Sequence, residues 1–163
     1  SKAIRIARLI MRRFGYNISN TAKNKINTPP FWIDMSKLFE LYTLGLLKDR
    51  FSKKVQFQYK YYGNELDYLL NSEDYKMVID AKYKLIYINN KHDEDVRQVS
   101  GYARLKSVYK SLGLEQGKII DCLIIYPDQD SEIEDLNDIN LKGQTIPQYF
   151  DVYKLGIKLP YLN

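Results

Sequence analysis

The sequence predicts a layered α/β domain in which helices pack on a central mixed sheet, and three observations carry that prediction. A long segment with helical periodicity, "FWIDMSKLFELYTLGLLKDRF", precedes three β-prone runs, and a second helical segment follows them. After that, "KIIDCLIIYP" is a continuous apolar run stopped by Pro127, the pattern of an interior strand covered on both faces. The order also admits an α+β arrangement of the same layers. A chain of 163 residues that is 45% apolar has enough material for one packed core.

Taken in order, "AIRIARLIMRRF" spaces Ile4, Ala7, Ile10 and Phe14 at helical intervals with Arg5, Arg8, Arg12 and Arg13 filling the rest, an amphipathic basic helix. The polar "NISNTAKNKINTPP" reads as loop and ends in two prolines that block helix. Residues 1–28 are expected to be this helix and a linker, the stub of a missing N-terminal region, with the folded domain over 29–163. Asp34 can cap the next helix, whose Met35, Leu38, Phe39, Tyr42 and Leu46 form an apolar stripe. Leu41, Leu44 and Leu47 make its other faces apolar too, so burial on several sides is expected, and Glu40 stands out on it.

"KVQFQYKYY" alternates Val55, Phe57, Tyr59 and Tyr61 with polar residues, the period of a half-buried strand. "ELDYLL" and "MVIDAKYKLIYI" flank the turn-rich "NSEDYK" and read as a hairpin. From residue 93, "DEDVRQVSGYARLKSVYKSLG" reads as one helix, with acids at its start, Val96, Val99 and Ala103 at core spacing, and Gly113 just past its end. The acidic "DQDSEIEDLND" is expected to be surface loop, and "YFDVYKLGIKLP" a last strand with Gly156 at a bulge.

Composition narrows the setting. No apolar run is long enough to span a bilayer and no signal-peptide pattern opens the chain, so no membrane association is expected. Cys122 is the single cysteine, in an apolar context, which suits a buried thiol in a reducing, cytoplasmic compartment. Net charge is +5, but residues 1–60 hold 13 Lys or Arg against 3 acids, whereas 61–163 hold 12 against 17. A basic half can attract a polyanion such as nucleic acid; scattered acids in the other can hold metal ions or keep the surface solvated.

The chemistry-bearing residues lie in the hairpin. If it turns at Glu73 and Asp74, Asp67 falls directly opposite Asp80. Opposed like charges destabilise a sheet by up to about 1 kcal/mol, so a cation between them is called for. Strand alternation puts Asp80, Lys82 and Lys84 on one face. Hard oxygen ligands suit Mg²⁺, which keeps several waters and is completed by phosphate, so phosphodiester hydrolysis is the implied chemistry. Lys82 would orient water or neutralise developing charge, and Glu40 is a candidate further ligand. A salt-bridged solvent face is the plainer reading of an Asp, x, Lys pattern by itself.

The order Glu40, Asp67, Asp80, Ala81, Lys82, Gln98 resembles the PD-(D/E)xK nuclease superfamily. "FWIDMSKLFELY", "VIDAKYK" and "DVRQVSGYARL" resemble the nuclease domain of McrC, the cleavage subunit of McrBC modification-dependent restriction systems, over roughly residues 29–105. The resemblance implies a restriction-endonuclease-like core of order αβββαβ and a cytoplasmic Mg²⁺-dependent DNA endonuclease, with Mn²⁺ able to substitute. It implies an McrB-like AAA+ GTPase motor as partner through a longer parent protein, and dimerisation for double-strand cleavage. Asp67, Asp80 and Glu40 would then serve at the metal, Lys82 would assist the attacking water, and Gln98 would support the site. Lys84, Tyr102 and Arg104 are candidate DNA contacts. Leu66 stands where the family's proline is expected, so that half of the motif is degenerate.

Two other readings stay open: a catalytically silent DNA-binding or assembly module with the nuclease fold, and a nuclease of the same superfamily acting in transposon end cleavage or junction resolution. Gln98 and Tyr102, four apart, share a helix face: either it turns to the site or to the DNA backbone, or Tyr102 is a core residue and Gln98 caps a polar gap. The 15 tyrosines include several that could stack on bases, though sheet and core duty explains most of them. His92, in a polar loop, is expected to be solvated.

Overall fold

A computed structural model describes residues 33–61, 63–84 and 93–160. The expected basic helix, the loop after it and His92 lie outside these. The first described helix, α1 (Met35–Phe51), starts where expected, because the Asp34 carboxylate accepts the Lys37 N–H at 3.1 Å and takes up an otherwise unpaired donor. A 3₁₀ turn, Ser52–Lys54, leads into β1 (Val55–Tyr61), β2 (Asn64–Asn71) and β3 (Lys76–Ala81). Helices α2 (Asp93–Tyr102) and α3 (Lys106–Leu112) follow, then β4 (Asp121–Pro127) and β5 (Val152–Ile157).

The strands form one five-stranded mixed sheet in the order β1-β2-β3-β4-β5. β1, β2 and β3 pair antiparallel, whereas β3, β4 and β5 run parallel, with α2 and α3 carrying the chain from β3 across to β4. Helix α1 covers one face, burying Phe39, Leu46 and Leu47 with Tyr68, Leu70, Met77, Ile79, Leu123 and Ile125. Helices α2 and α3 cover the other, burying Val96, Val99, Val108 and Leu112 with Leu69, Val78, Cys122 and Ile124. The alternation along β3 and β4 thus feeds two cores at once, as an interior strand requires. Arg50 ties α1 to the acidic loop by donating to the Leu136 and Ile139 carbonyls at 2.7 and 2.6 Å. Among the described residues no helix is long and apolar enough to cross a membrane.

Four expectations are corrected. Helix α1 is not buried on several sides: Leu41 is 42% exposed, since only one layer of helix lies on that face of the sheet. The segment after residue 93 is two helices, broken where Arg104 and Leu105 N–H groups turn back on the Gly101 and Tyr102 carbonyls at 3.1 Å each and Leu105 is extended. The break lets α2 follow β3 and β4 while α3 crosses to β2, which a straight rod over a twisted sheet cannot do. Gly113 closes α3 in the left-handed conformation, φ +62°, as its position predicts. The third strand stops at Ala81, so Lys82 and Lys84 lie beyond it, and residues 85–88 of the expected run fall outside the described residues. Finally, Gly156 is no bulge. It keeps regular register opposite Tyr126, and a Cβ there would stand 2.7 Å from Asp128 Cβ, so close approach of a loop requires the glycine.

Candidate active site

The hairpin register is the one that brings the two acids together. Tyr68 pairs with Ile79, Leu69 with Val78 and Leu70 with Met77, so the next step faces Asp67 with Asp80. The regular ladder ends before that step, and the reason lies in β1. Gln58, across from Asp67, has φ +50°, and the two residues flanking Asp67 bury on opposite sides, Leu66 with the α2 and α3 layer and Tyr68 with the α1 layer. In an unbroken strand they would share a face. The twist swings the Asp67 carboxylate toward β3, where its Oδ2 accepts the Ala81 N–H at 2.8 Å in place of a backbone carbonyl.

Asp80 is 2% exposed at the C-terminal end of the middle strand, with parallel β4 on its other side. Crevices at the carboxyl ends of parallel strands are where open α/β sheets bind ligands. The Asp67 carboxyl is within hydrogen-bonding reach of Asp80. Burial first, and then the charge of Asp80, push Asp67 up to about 7. Burial likewise raises Asp80, against the opposing pull of Lys82. A buried carboxyl with a second, partly buried carboxyl beside it therefore favours the protonated form of the pair.

Lys82 Nζ lies 2.9 Å from Asp80 Oδ2, close enough to pair in charge. Its approach is off the line of a directed bond, so Oδ2 is buried without a hydrogen-bond partner. The ammonium donates instead to Gln98 Oε1 at 2.9 Å, and Gln98 Nε2 donates to the Tyr102 hydroxyl at 3.0 Å. Burial works to lower Lys82, but Asp80, and after it Asp95 and Asp67, outweigh burial and hold it charged above its ordinary range. The row Asp67, Asp80, Lys82, Gln98, Tyr102 is continuous.

The remaining candidates stand outside that row. The Glu40 carboxylate is held by Lys37 at 2.6 Å on its own helix, although its charge reaches Asp67 and helps to raise it. Among the described residues no group of three or more His, Cys, Asp and Glu stands together as a metal cluster, so Glu40 does not join the two aspartates as a third ligand in this arrangement. The Lys84 ammonium is taken up by Asp95, whose two oxygens accept it at 2.9 and 2.7 Å. Arg104 is exposed in the turn between α2 and α3. Asp95 was missed from the sequence; its spacing of three before Gln98, which puts both on one helix face, was the available signal.

The pair fits a divalent cation in the chemistry of its donors. Two hard carboxylates lie within hydrogen-bonding reach, one of their oxygens is buried without a directed bond, and a cation would relieve the repulsion that helps to raise Asp67. In comparisons with known proteins, the chain matches no family model, no curated protein sequence and no solved structure.

Proposed function

We propose that this chain is a Mg²⁺-dependent DNA endonuclease domain of PD-(D/E)xK type, the cleavage part of an McrBC-like restriction assembly. The observation that carries the reading is the contact of Asp67 and Asp80 at the carboxyl end of the middle strand with Lys82 beside them. A salt-bridged solvent face, the plainer reading of the same residues, does not account for an aspartate that is 2% exposed beside a second carboxyl. Fold alone would not suffice, and the restriction role rests on the McrC-like wording of the sequence.

In this reading Asp67 and Asp80 supply the oxygens that hold Mg²⁺. The bound ion contributes Lewis acidity and neutralises phosphate charge. Lys82 offers its ammonium to the scissile phosphate or to the attacking water, stabilising charge that develops in the transition state. Gln98 keeps that ammonium aimed, and Tyr102 fixes which end of the Gln98 amide faces Lys82. Burial of Asp80 strengthens the charge interactions made with it.

The rival is a silent module with the same fold, favoured by the absence of a third acid beside the pair among the described residues. Cleavage of methylated and unmethylated plasmid separates the two, using this chain and its longer parent with the motor partner, with and without Mg²⁺. Mg²⁺-dependent cutting that disappears in Asp80→Ala supports the nuclease; DNA binding with no cutting under any of these conditions supports the silent module.

A further inference from the structure

Asp95, the third residue of α2, is 4% exposed, and beyond the charge it lends to Lys82 the proposed reaction gives it no part. Its ion pair with Lys84, whose side chain is 46% exposed, contributes little net stability, because solvent screens the attraction, but it can hold a geometry. The Asp95 pair with Lys84 belongs to a larger pattern. Lys82 and Lys84, two residues apart just beyond β3, are gripped by Gln98 and Asp95, three residues apart on one face of α2. The backbone couples the two grips. The Lys82 N–H extends the parallel ladder to the Ile125 carbonyl, and the Lys84 N–H turns back on the Lys82 carbonyl, both at 2.9 Å. Any movement of Lys84 is thereby passed to the peptide groups that carry Lys82.

We propose that Asp95 is a positioning residue: by clamping Lys84 onto α2 it sets the 82–84 turn, and so holds the Lys82 ammonium between Asp80 and Gln98. The clamp assigns Lys84 to the support of Lys82 rather than to DNA. Its consequence for cleavage rests on the nuclease reading; the clamp itself does not.

The test uses the full chain and two variants, Asp95→Asn and Lys84→Gln, read in two independent ways. Acetylation of Lys82 by acetic anhydride, followed by peptide mass spectrometry, reports whether its amine is still held. Single-turnover cleavage at saturating DNA reports the reaction. Both variants are expected to acetylate at Lys82 several-fold faster than wild type. Asp95→Asn also removes a charge that keeps Lys82 protonated, so Lys84→Gln, which keeps that charge, decides. Lys84→Arg, which keeps a cation on the Asp95 carboxylate, should restore the protection that Lys84→Gln loses. The cleavage rate should fall by about 10- to 100-fold, as for other residues that orient a catalytic group, with DNA affinity unchanged. A purely structural Asp95 would lower the melting temperature and leave Lys82 as protected as before, which overturns the proposal. Lower DNA affinity in Lys84→Gln with Lys82 still protected overturns it as well and returns Lys84 to DNA contact. Should Asp95→Asn fail to fold, Lys84→Gln decides on the same readouts. A wild type that never cuts removes the nuclease reading, while the acetylation rates still decide the clamp.

Discussion

Asp67 and Lys82 are both raised by the Asp80 carboxylate, which favours the neutral form of one and the charged form of the other, and each shift can be measured. Asp67 is raised from 3.8 to about 7, so between those values the folded chain keeps a proton that the unfolded chain has lost. Stability linked to it is therefore full at the acid end and is lost as pH rises through about 7, the reverse of a salt-bridged aspartate. In metal-free buffer, urea midpoints should fall from pH 5 to pH 8. Asp67→Asn should flatten that fall, and Mg²⁺ at pH 8 should raise the wild-type midpoint, because ligand binding to the native state stabilises it. A midpoint that rises with pH would show that the carboxyl pair does not share a proton. Lys82 is instead held charged by its acidic neighbours. Lys82→Ala is expected to lower the single-turnover rate about a hundredfold, roughly 3 kcal/mol, with little change in DNA affinity. Loss of affinity alone would make this a binding domain.

At the scale of elements, β3 matters most, because it is where antiparallel pairing on one side meets parallel pairing on the other. Its backbone ladder to β2 ends opposite the left-handed Gln58, the Ala81 N–H bonding the Asp67 carboxylate instead, while the Lys82 N–H still bonds to Ile125, so the chain leaves the sheet in a defined direction. Helix α1 is pinned beneath this exit by the Tyr68 hydroxyl, which donates to the Glu40 carbonyl at 2.7 Å. At the far edge, β5 passes so close to the loop after β4 that Gly156 leaves no room for a methyl group. The obstacle is Asp128 Cβ, next to the backbone, so it cannot swing away as a side-chain tip would. Gly156→Ala should cost about 1–3 kcal/mol, the range for overpacking a close contact. Thermal melting checks it; an unchanged melting temperature would mean that the loop after β4 yields freely.

For the whole molecule, two helical layers clamp one sheet, and β4 feeds both. Leu123 and Ile124, adjacent in sequence and each fully buried, belong to opposite cores. Leu123→Ala and Ile124→Ala should each cost about 2–5 kcal/mol, because each leaves a cavity under a different helix layer. Denaturant unfolding of the two variants measures this directly. A cost below about 1 kcal/mol for one of them would mean that its layer collapses into the space or barely contributes to the core.

Much of this was readable in the chain itself. The alternation in "KVQFQYKYY", the Asp34 cap, the apolar run around Cys122 and the turn at Glu73 and Asp74 are local signals, and a thirteen-residue separation about that turn suffices to set Asp67 across from Asp80. Local signals act over a few residues, so periodicity and turn chemistry carry them. The rest depended on how far apart distant segments come to lie. The break between α2 and α3, the bare side of α1 and the close approach at Gly156 are set by the twist and layering of the sheet. Which carboxylate takes up Lys84, and whether Glu40 pairs with Lys37 on its own helix, is a choice among partners that the sequence leaves equally available. Only the packed arrangement decides it, because the strength of a charge pair depends on separation and burial, and neither is encoded in spacing along the chain.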